Sequence, residues 1–315
     1  MKELKSLKSY LQGQHEWVDD NITSAKAFED MMVTALNCPQ NPNRTYQHVA
    51  LVSGGMDSVI MWYRLSTMEP HSKLALYFDL GHPYMEMEKV ALSKFDIPYL
   101  VENLDMDEVP YWGHIIPGRN MLMMLKAVKY VEDGGRIWLG CVDGESGYAD
   151  GDKSQKFFDQ FTAYVKAEYN KTVKVATMRT NTKNGWLKWY LERTNDTKIF
   201  ETITCFDNFD SDSSEFFTEH FPDFDESDQF ACFRCQACLR KFIAFRYSGA
   251  SLPETYQHLE FRYQRMISVG CREYVDKYII SMEQAIKDQN FTHYSQARIN
   301  EDLPILKELQ SMRAA

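Results

Sequence analysis

Short apolar runs alternate with amphipathic segments along most of the chain. Residues 48–52, Lys73 to Phe78, Tyr99 to Val101, Arg136 to Gly140 and Val173 to Met178 read as strands. Val59 to Leu65, Tyr84 to Phe95, Arg119 to Val131, Ser154 to Tyr169 and Gly185 to Arg193 read as helices. Such alternation predicts an α/β fold, a parallel sheet covered by helices on both faces. Ahead of it, Leu4, Leu7 and Leu11, then Phe28, Met31, Met32 and Ala35, recur at helical spacing, and the pattern stops at Cys38-Pro39 and the turn Asn41-Pro42-Asn43. Residues 205–231 are acidic, rich in Ser and Phe, and weakly periodic, which reads as a loop or insertion. Leu239 to Tyr247 starts another helix, and helical spacing continues from Pro253 to the end (Leu259, Tyr263, Met266; Tyr274, Tyr278, Ile279, Met282; Ile305, Leu306, Leu309). The expected organisation is a helical N-terminal extension at 1–45, an α/β domain at 46–204, a cysteine-bearing region at 205–248 and a helical C-terminal extension at 249–315. No internal repeat is present.

Composition narrows the function. Hydrophobic residues make up 44% of 315 residues, enough for a full core. A net charge of −10 leaves no strong nucleic-acid footprint and favours a small-molecule substrate. No apolar run reaches membrane-spanning length and Met1 to Tyr10 holds no signal-peptide core, so the cytoplasm is the expected location. There the seven cysteines fit thiols or metal ligands better than disulfides. Tyr256, Phe261 and Tyr263 read as exposed aromatics that pack on the core or form a homodimer interface.

The chemistry starts at Ser53-Gly54-Gly55-Met56-Asp57-Ser58, directly after the first strand. Two glycines let backbone N–H groups close around a diphosphate, serine hydroxyls donate to its oxygens, and the following helix points its positive end at it. The bland alternative is a glycine turn, which needs neither the serines nor the aspartate. No GxxxxGK[ST] stretch occurs, so the loop lacks the Walker lysine and suits release of whole pyrophosphate. Asp57 would help hold Mg²⁺ against the phosphates. Cys232, Cys235 and Cys238 are spaced to converge on one tetrahedral Zn²⁺, with Cys205 as the fourth ligand, and a closed shell of four thiolates makes such a zinc structural. A redox pair is the rival reading, weakened by the third cysteine.

Three further stretches are ambiguous alone. Gly118, Arg119 and Asn120 open a helix and suit either capping or recognition of a polar ligand. Gly140 to Asp150 is rich in glycine and carboxylates and follows a strand; it is either a solvated acidic turn or a wall of the site. Lys183, ahead of a helix, reads as surface charge. His82, after the second strand, is placed to face the site.

In this order the motifs resemble the PP-loop ATP pyrophosphatase superfamily, and within it the 7-cyano-7-deazaguanine synthase (QueC-like) family. The resemblance rests on SGGMDS at 53–58, GRN at 118–120, G-C-x-x-x-x-S-G-Y-x-D at 140–150, and Thr204-Cys205-Phe206 followed by C-x-x-C-x-x-C-L-R at 232–240, and covers roughly residues 47–248. It implies a Rossmann-like PP-loop domain with ATP, Mg²⁺ and structural zinc. It also implies conversion of 7-carboxy-7-deazaguanine and ammonia to 7-cyano-7-deazaguanine (preQ0). Ser53, Gly54, Gly55, Met56, Asp57 and Ser58 would hold pyrophosphate, with Gly118, Arg119 and Asn120 at the nucleotide. Gly140, Asp143, Ser146, Tyr148 and Asp150 would meet the deazapurine. Asp57, Arg119 and Lys183, the last matching a family lysine, are the candidate catalytic groups. The chain departs from the family where a Q-R-H-x-x-E stretch becomes Gly81-His82-Pro83-Tyr84-Met85-Glu86, at Pro117 in place of aspartate, and in the long segment between Cys205 and Cys232. Those departures keep three other readings open: a paralogue passing its activated acid to another amine, a tRNA sulfurtransferase, and a scaffold that has lost the chemistry.

Overall fold

The computed structural model describes residues 41–69, 72–81, 85–104, 118–145, 151–203, 232–250 and 260–313. The expected N-terminal helices and the acidic 205–231 segment lie outside these residues. Five parallel strands form one sheet: β1 (Tyr46–Val52), β2 (Lys73–Asp79), β3 (Tyr99–Asn103), β4 (Val131–Asp143) and β5 (Lys174–Thr182). Their order is β3-β2-β1-β4-β5, so connections run outward in both directions from β1. This is a Rossmann-like topology, in which ligands bind beyond the carboxyl ends of the strands where the order reverses, here between β1 and β4.

Side-chain alternation sends each strand into two cores, as a sheet covered on both faces requires. Val49, Leu74, Leu76 and Phe78 face α3 (Arg119–Ala127) and α4 (Gln155–Tyr169), packing with Met124, Ala127, Phe158, Phe161 and Val165. Ala50, Val52, Ala75 and Tyr77 face α1 (Met56–Met68), α2 (Met85–Lys94) and α5 (Lys183–Thr194), packing with Ile60, Leu65, Leu92, Trp186 and Leu187. The second core continues into α6 (Gln236–Ser248), α7 (Glu260–Gly270), α8 (Arg272–Lys287) and α9 (Gln296–Met312). Burying a large apolar side chain is worth about 1.5–3 kcal/mol, so the C-terminal helices are integral to this face of the molecule.

Some boundaries differ from the sequence reading. The helix expected to reach Val131 ends at Ala127, and Val131 already belongs to β4. Tyr130 N closes a turn on Ala127 O at 3.0 Å, while its carbonyl accepts from Tyr46 N at 2.7 Å, so pairing with β1 overrides helical periodicity. β4 opens with a register irregularity and carries Gly134 at φ +82°, which hides the strand's first residues from a periodicity search. Tyr263, expected to be exposed, is only 3% exposed and packs edge-on against Phe200 and Phe233. Tyr256 and the side chain of Phe261 lie outside the described residues. Among the described residues no helix is long and apolar enough to cross a membrane.

Candidate functional site

β1 ends at Val52 and the chain turns sharply through Gly54, whose φ is +67°. A Cβ at Gly54 would stand 2.5 Å from the carbonyl oxygen of Glu88 in α2, so only glycine allows the loop to lie against that helix. Gly54 O accepts from Ile203 N at 3.1 Å on the other side. Ser58 Oγ donates to Gly55 O (2.9 Å) and accepts from Ser53 N (3.2 Å), knotting the loop from within. Ser58 therefore shapes the loop with the hydroxyl that sequence reasoning assigned to phosphate. Met56, Asp57 and Ser58 form the first turn of α1, one turn earlier than periodicity indicated, and no side chain caps the helix. Its positive end lies at the carboxyl edge of the sheet.

Asp57 and Lys183 meet there. Lys183 is the first residue of α5 rather than a linker residue, and its Nζ lies 2.8 Å from Asp57 Oδ2. β4 runs between the strands that carry them, and Gly140 sits under this turn, where an added Cβ would be 3.4 Å from Asp57 Cβ. Beside the pair, Glu145 is buried and bonded to Lys153 Nζ (3.1 Å) and Arg240 Nη1 (3.3 Å). Burial alone would push its carboxyl up, but the charges of Lys153, Arg240 and Lys183 outweigh that and hold it well below the usual carboxylate range. Lys153 and Arg240 are desolvated in turn, and Glu145 raises both above their ordinary values. Sequence reasoning passed over Glu145, Lys153 and Arg240. Two of them sat inside motifs already picked out, and only the network shows their work.

The start of α3 corrects the capping reading. Its N-cap is Gly118 in the left-handed region, with no side-chain cap, and Asn120 Nδ2 instead donates to Asp152 Oδ2 at 2.7 Å. Arg119 is half-buried and its charge reaches Glu88. Burial pushes the Glu88 carboxyl up to about 7, against the Tyr77 hydroxyl 3.0 Å away and the charge of Arg119. Asp143 ends β4 half-buried, within electrostatic reach of Glu301. Ser146, Tyr148 and Asp150, and His82, lie outside the described residues.

The sulfurs of Cys232, Cys235 and Cys238 lie within 4.8 Å of one another, at 3.7 Å for Cys232–Cys238 and 3.4 Å for Cys235–Cys238. Tetrahedral Zn²⁺ with Zn–S bonds of about 2.3 Å needs sulfurs about 3.8 Å apart, so the cluster fits that ion. Backbone N–H groups of Arg234, Cys235 and Cys238 point at these sulfurs from 3.3–3.4 Å, the donor pattern that stabilises thiolate. Cys205, the expected fourth ligand, lies outside the described residues. Cys141 is buried away from the cluster, whereas Cys271 is buried against it, its Sγ donating to Phe233 O (2.9 Å) and Cys235 O (3.5 Å). Burial pushes the Cys141 thiol up to about 12, and burial with the neighbouring Cys235 and Cys232 raises Cys271, which makes both poor nucleophiles.

In comparison with protein families, residues 47–249 fit the model of the queuosine biosynthesis protein QueC. Neither curated proteins nor solved structures give a match to the chain.

Proposed function

The chain belongs to the QueC family of queuosine biosynthesis proteins, and on that premise we propose that it adenylates 7-carboxy-7-deazaguanine with ATP and converts it with ammonia to preQ0. The observation that supports this most is the SGGMDS loop at the carboxyl edge, with Asp57 and Lys183 paired over it and no Walker lysine. In this reading a carboxylate oxygen of the substrate attacks the α-phosphorus of ATP and pyrophosphate leaves. Ammonia then displaces AMP from the acyl-adenylate to give the amide. The amide oxygen attacks a second ATP, pyrophosphate leaves again, and loss of AMP and a proton produces the nitrile.

The protein's part is orientation and charge stabilisation. Loop N–H groups and the start of α1 receive the leaving pyrophosphate. Lys183 neutralises charge that grows on it, and Asp57 keeps the ammonium in place until phosphate arrives. Mg²⁺, when bound, would neutralise phosphate charge; Asp57 is the carboxylate beside the loop suited to hold it. Zinc at the cysteine cluster would be structural. Arg119 and Asn120 would line the nucleotide side, with Gly140, Asp143 and the residues to Asp150 on the deazapurine side. The buried, high-pKa thiols of Cys141 and Cys271 give no support to sulfur transfer.

The test is incubation with ATP, Mg²⁺, ammonium and 7-carboxy-7-deazaguanine, followed by mass spectrometry. A nitrile with AMP is the expected result. An adenylate or amide that stalls assigns the chain to a paralogue with another acceptor. No consumption of the acid, with AMP formed when a different acid is offered, refutes the substrate.

A further inference from the structure

The family match ends at residue 249, yet α9, well beyond it, reaches the site. One turn of α9 carries Arg298 and Asp302, both buried, with Arg298 Nε 3.0 Å from Asp302 Oδ2. Arg298 Nη1 donates to the carbonyl of Gly144, the residue before Glu145. Gly144 has φ +71°, and a Cβ there would stand 2.7 Å from Arg298 Cδ, so the glycine lets the β4 loop lie directly on the arginine. The second oxygen of Asp302 accepts from Asn184 Nδ2 at 2.7 Å, and Asn184 follows Lys183. Glu301 Oε2 accepts at 2.6 Å from Thr182 Oγ1, whose oxygen also caps α5. The Tyr278 and Tyr294 rings flank the Arg298 guanidinium at 5.6 and 5.1 Å.

Packing alone does not require these contacts. Ile299, Leu306 and Leu309 already anchor α9 in the core, whereas burying Arg298 and Asp302 costs desolvation that only fixed partners offset. Those partners are Asn184, the residue after Lys183, and Gly144, the residue before Glu145; the residue before Lys183, Thr182, is held by the adjacent Glu301. We propose that α9 is a positioning element for the site, in which Arg298 and Asp302 set where Lys183 and Glu145 stand. The inference rests on the reading that Lys183 meets the phosphates of ATP.

Two substitutions test it. Asp302→Leu removes the links to Arg298 and Asn184; Asp302→Asn keeps an acceptor for Asn184. A misplacement of about 1 Å costs on the order of 100-fold in rate, so kcat for pyrophosphate release is expected to fall roughly 10- to 100-fold in Asp302→Leu, by more than KM for ATP rises. Asp302→Asn is expected to recover part of the loss. Glu308→Ala, also on α9, breaks the exposed pair with Arg246 of α6 and is expected to leave both parameters unchanged. Hydrogen exchange, read without substrate, is expected to quicken at 142–145 and 182–186 in Asp302→Leu. Wild-type kcat in folded Asp302→Leu overturns the proposal, as does unchanged exchange in both segments. If the wild-type chain releases no pyrophosphate with any acid while exchange responds as expected, the proposed function fails and the fastening by α9 stands.

Discussion

Among the described residues, Glu145 is the carboxylate that pairs with both Lys153 and Arg240, and replacing it by glutamine removes that shared charge. The side chains are 8%, 28% and 15% exposed, so the change leaves two desolvated cations facing each other with Lys183 nearby. Breaking a buried ion pair from one side costs about 3–5 kcal/mol, and the partial exposure of Lys153 places this case near 3 kcal/mol. At roughly 2–4 °C per kcal/mol, the midpoint of thermal unfolding is expected to fall by about 6–12 °C. The pH dependence has a definite sign. In the wild type, Glu145 raises Lys153 above its ordinary 10.5, so that stabilisation is fully present below 10.5 and is lost as pH rises through the folded value. In the variant, burial and the charge of Arg240 both lower the Lys153 pKa, and deprotonation relieves the strain as pH climbs. Urea denaturation at pH 7 and at pH 9.5 is the assay, with zinc content checked at both. The gap between wild type and variant is expected to be widest at pH 7 and to shrink at pH 9.5. A gap under about 1 kcal/mol at pH 7, or one that does not change with pH, refutes the assignment of Glu145 as the electrostatic centre.

Other expectations follow from the same geometry. Glu88 has its pKa raised by burial to about 7 from 4.5, so its contribution is fully present below 4.5 and is lost as pH rises through 7; Glu88→Gln is expected to gain up to about 3 kcal/mol over wild type at pH 8 and nothing at pH 4, read by urea denaturation at both. Gly54→Ala forces a left-handed backbone and a contact with Glu88 O at 2.5 Å; a loss of at least 1–2 kcal/mol on thermal unfolding, with pyrophosphate release abolished, is expected. Asp57→Asn is expected to stop AMP formation with zinc content unchanged, and retained turnover removes Asp57 from the metal role. Cys235→Ser is expected to lower bound zinc, measured by elemental analysis, and full occupancy in that variant would exclude the cluster as the site.

The sheet was legible because its central strands β1 and β2 are buried on both faces and so read as dense apolar runs, Val49 to Val52 most clearly. The phosphate loop was legible because glycine at 54 answers a local constraint, a positive φ against a neighbouring backbone. Local signals failed where a non-local partner decided the outcome. Tyr130 leaves the helix because Tyr46 pairs with it, and Asn120 turns from capping because Asp152 accepts its amide. The type of Ser58 points to phosphate, and only the loop's own geometry shows that its hydroxyl also donates to Gly55 O. Glu145 had a place in a motif but no signal of burial, since a carboxylate between glycine and serine reads as a solvated turn until Lys153 and Arg240 converge on it. Arg298 and Asp302 carried no signal, because an arginine and an aspartate four apart on a helix read as an exposed pair.

The cysteine cluster and the phosphate loop are joined by a short mechanical path. Cys235 caps α6, its sulfur accepting from Cys238 N, so thiolate charge sits at the positive end of that helix. The same helix carries Lys241, buried, whose Nζ donates to Thr202 O at 2.7 Å and lies over the Phe200 ring. The next residue, Ile203, donates through its N–H to Gly54 O, and its own carbonyl stands 3.3 Å from where a Cβ on Gly55 would project. Residues 202 and 203 thus brace both glycines from behind, and the chain runs from them through Thr204 to Cys205, the remaining candidate ligand. A metal that fixes α6 at one end of this strap fixes the backs of Gly54 and Gly55 at the other. Glycine gives the loop its shape and also the freedom to lose it, so a loop built from two of them needs support from outside, and a closed metal site supplies support without occupying the crevice. A zinc held by four protein ligands there would be structural, and its removal would be expected to loosen the backing of Gly54 and Gly55.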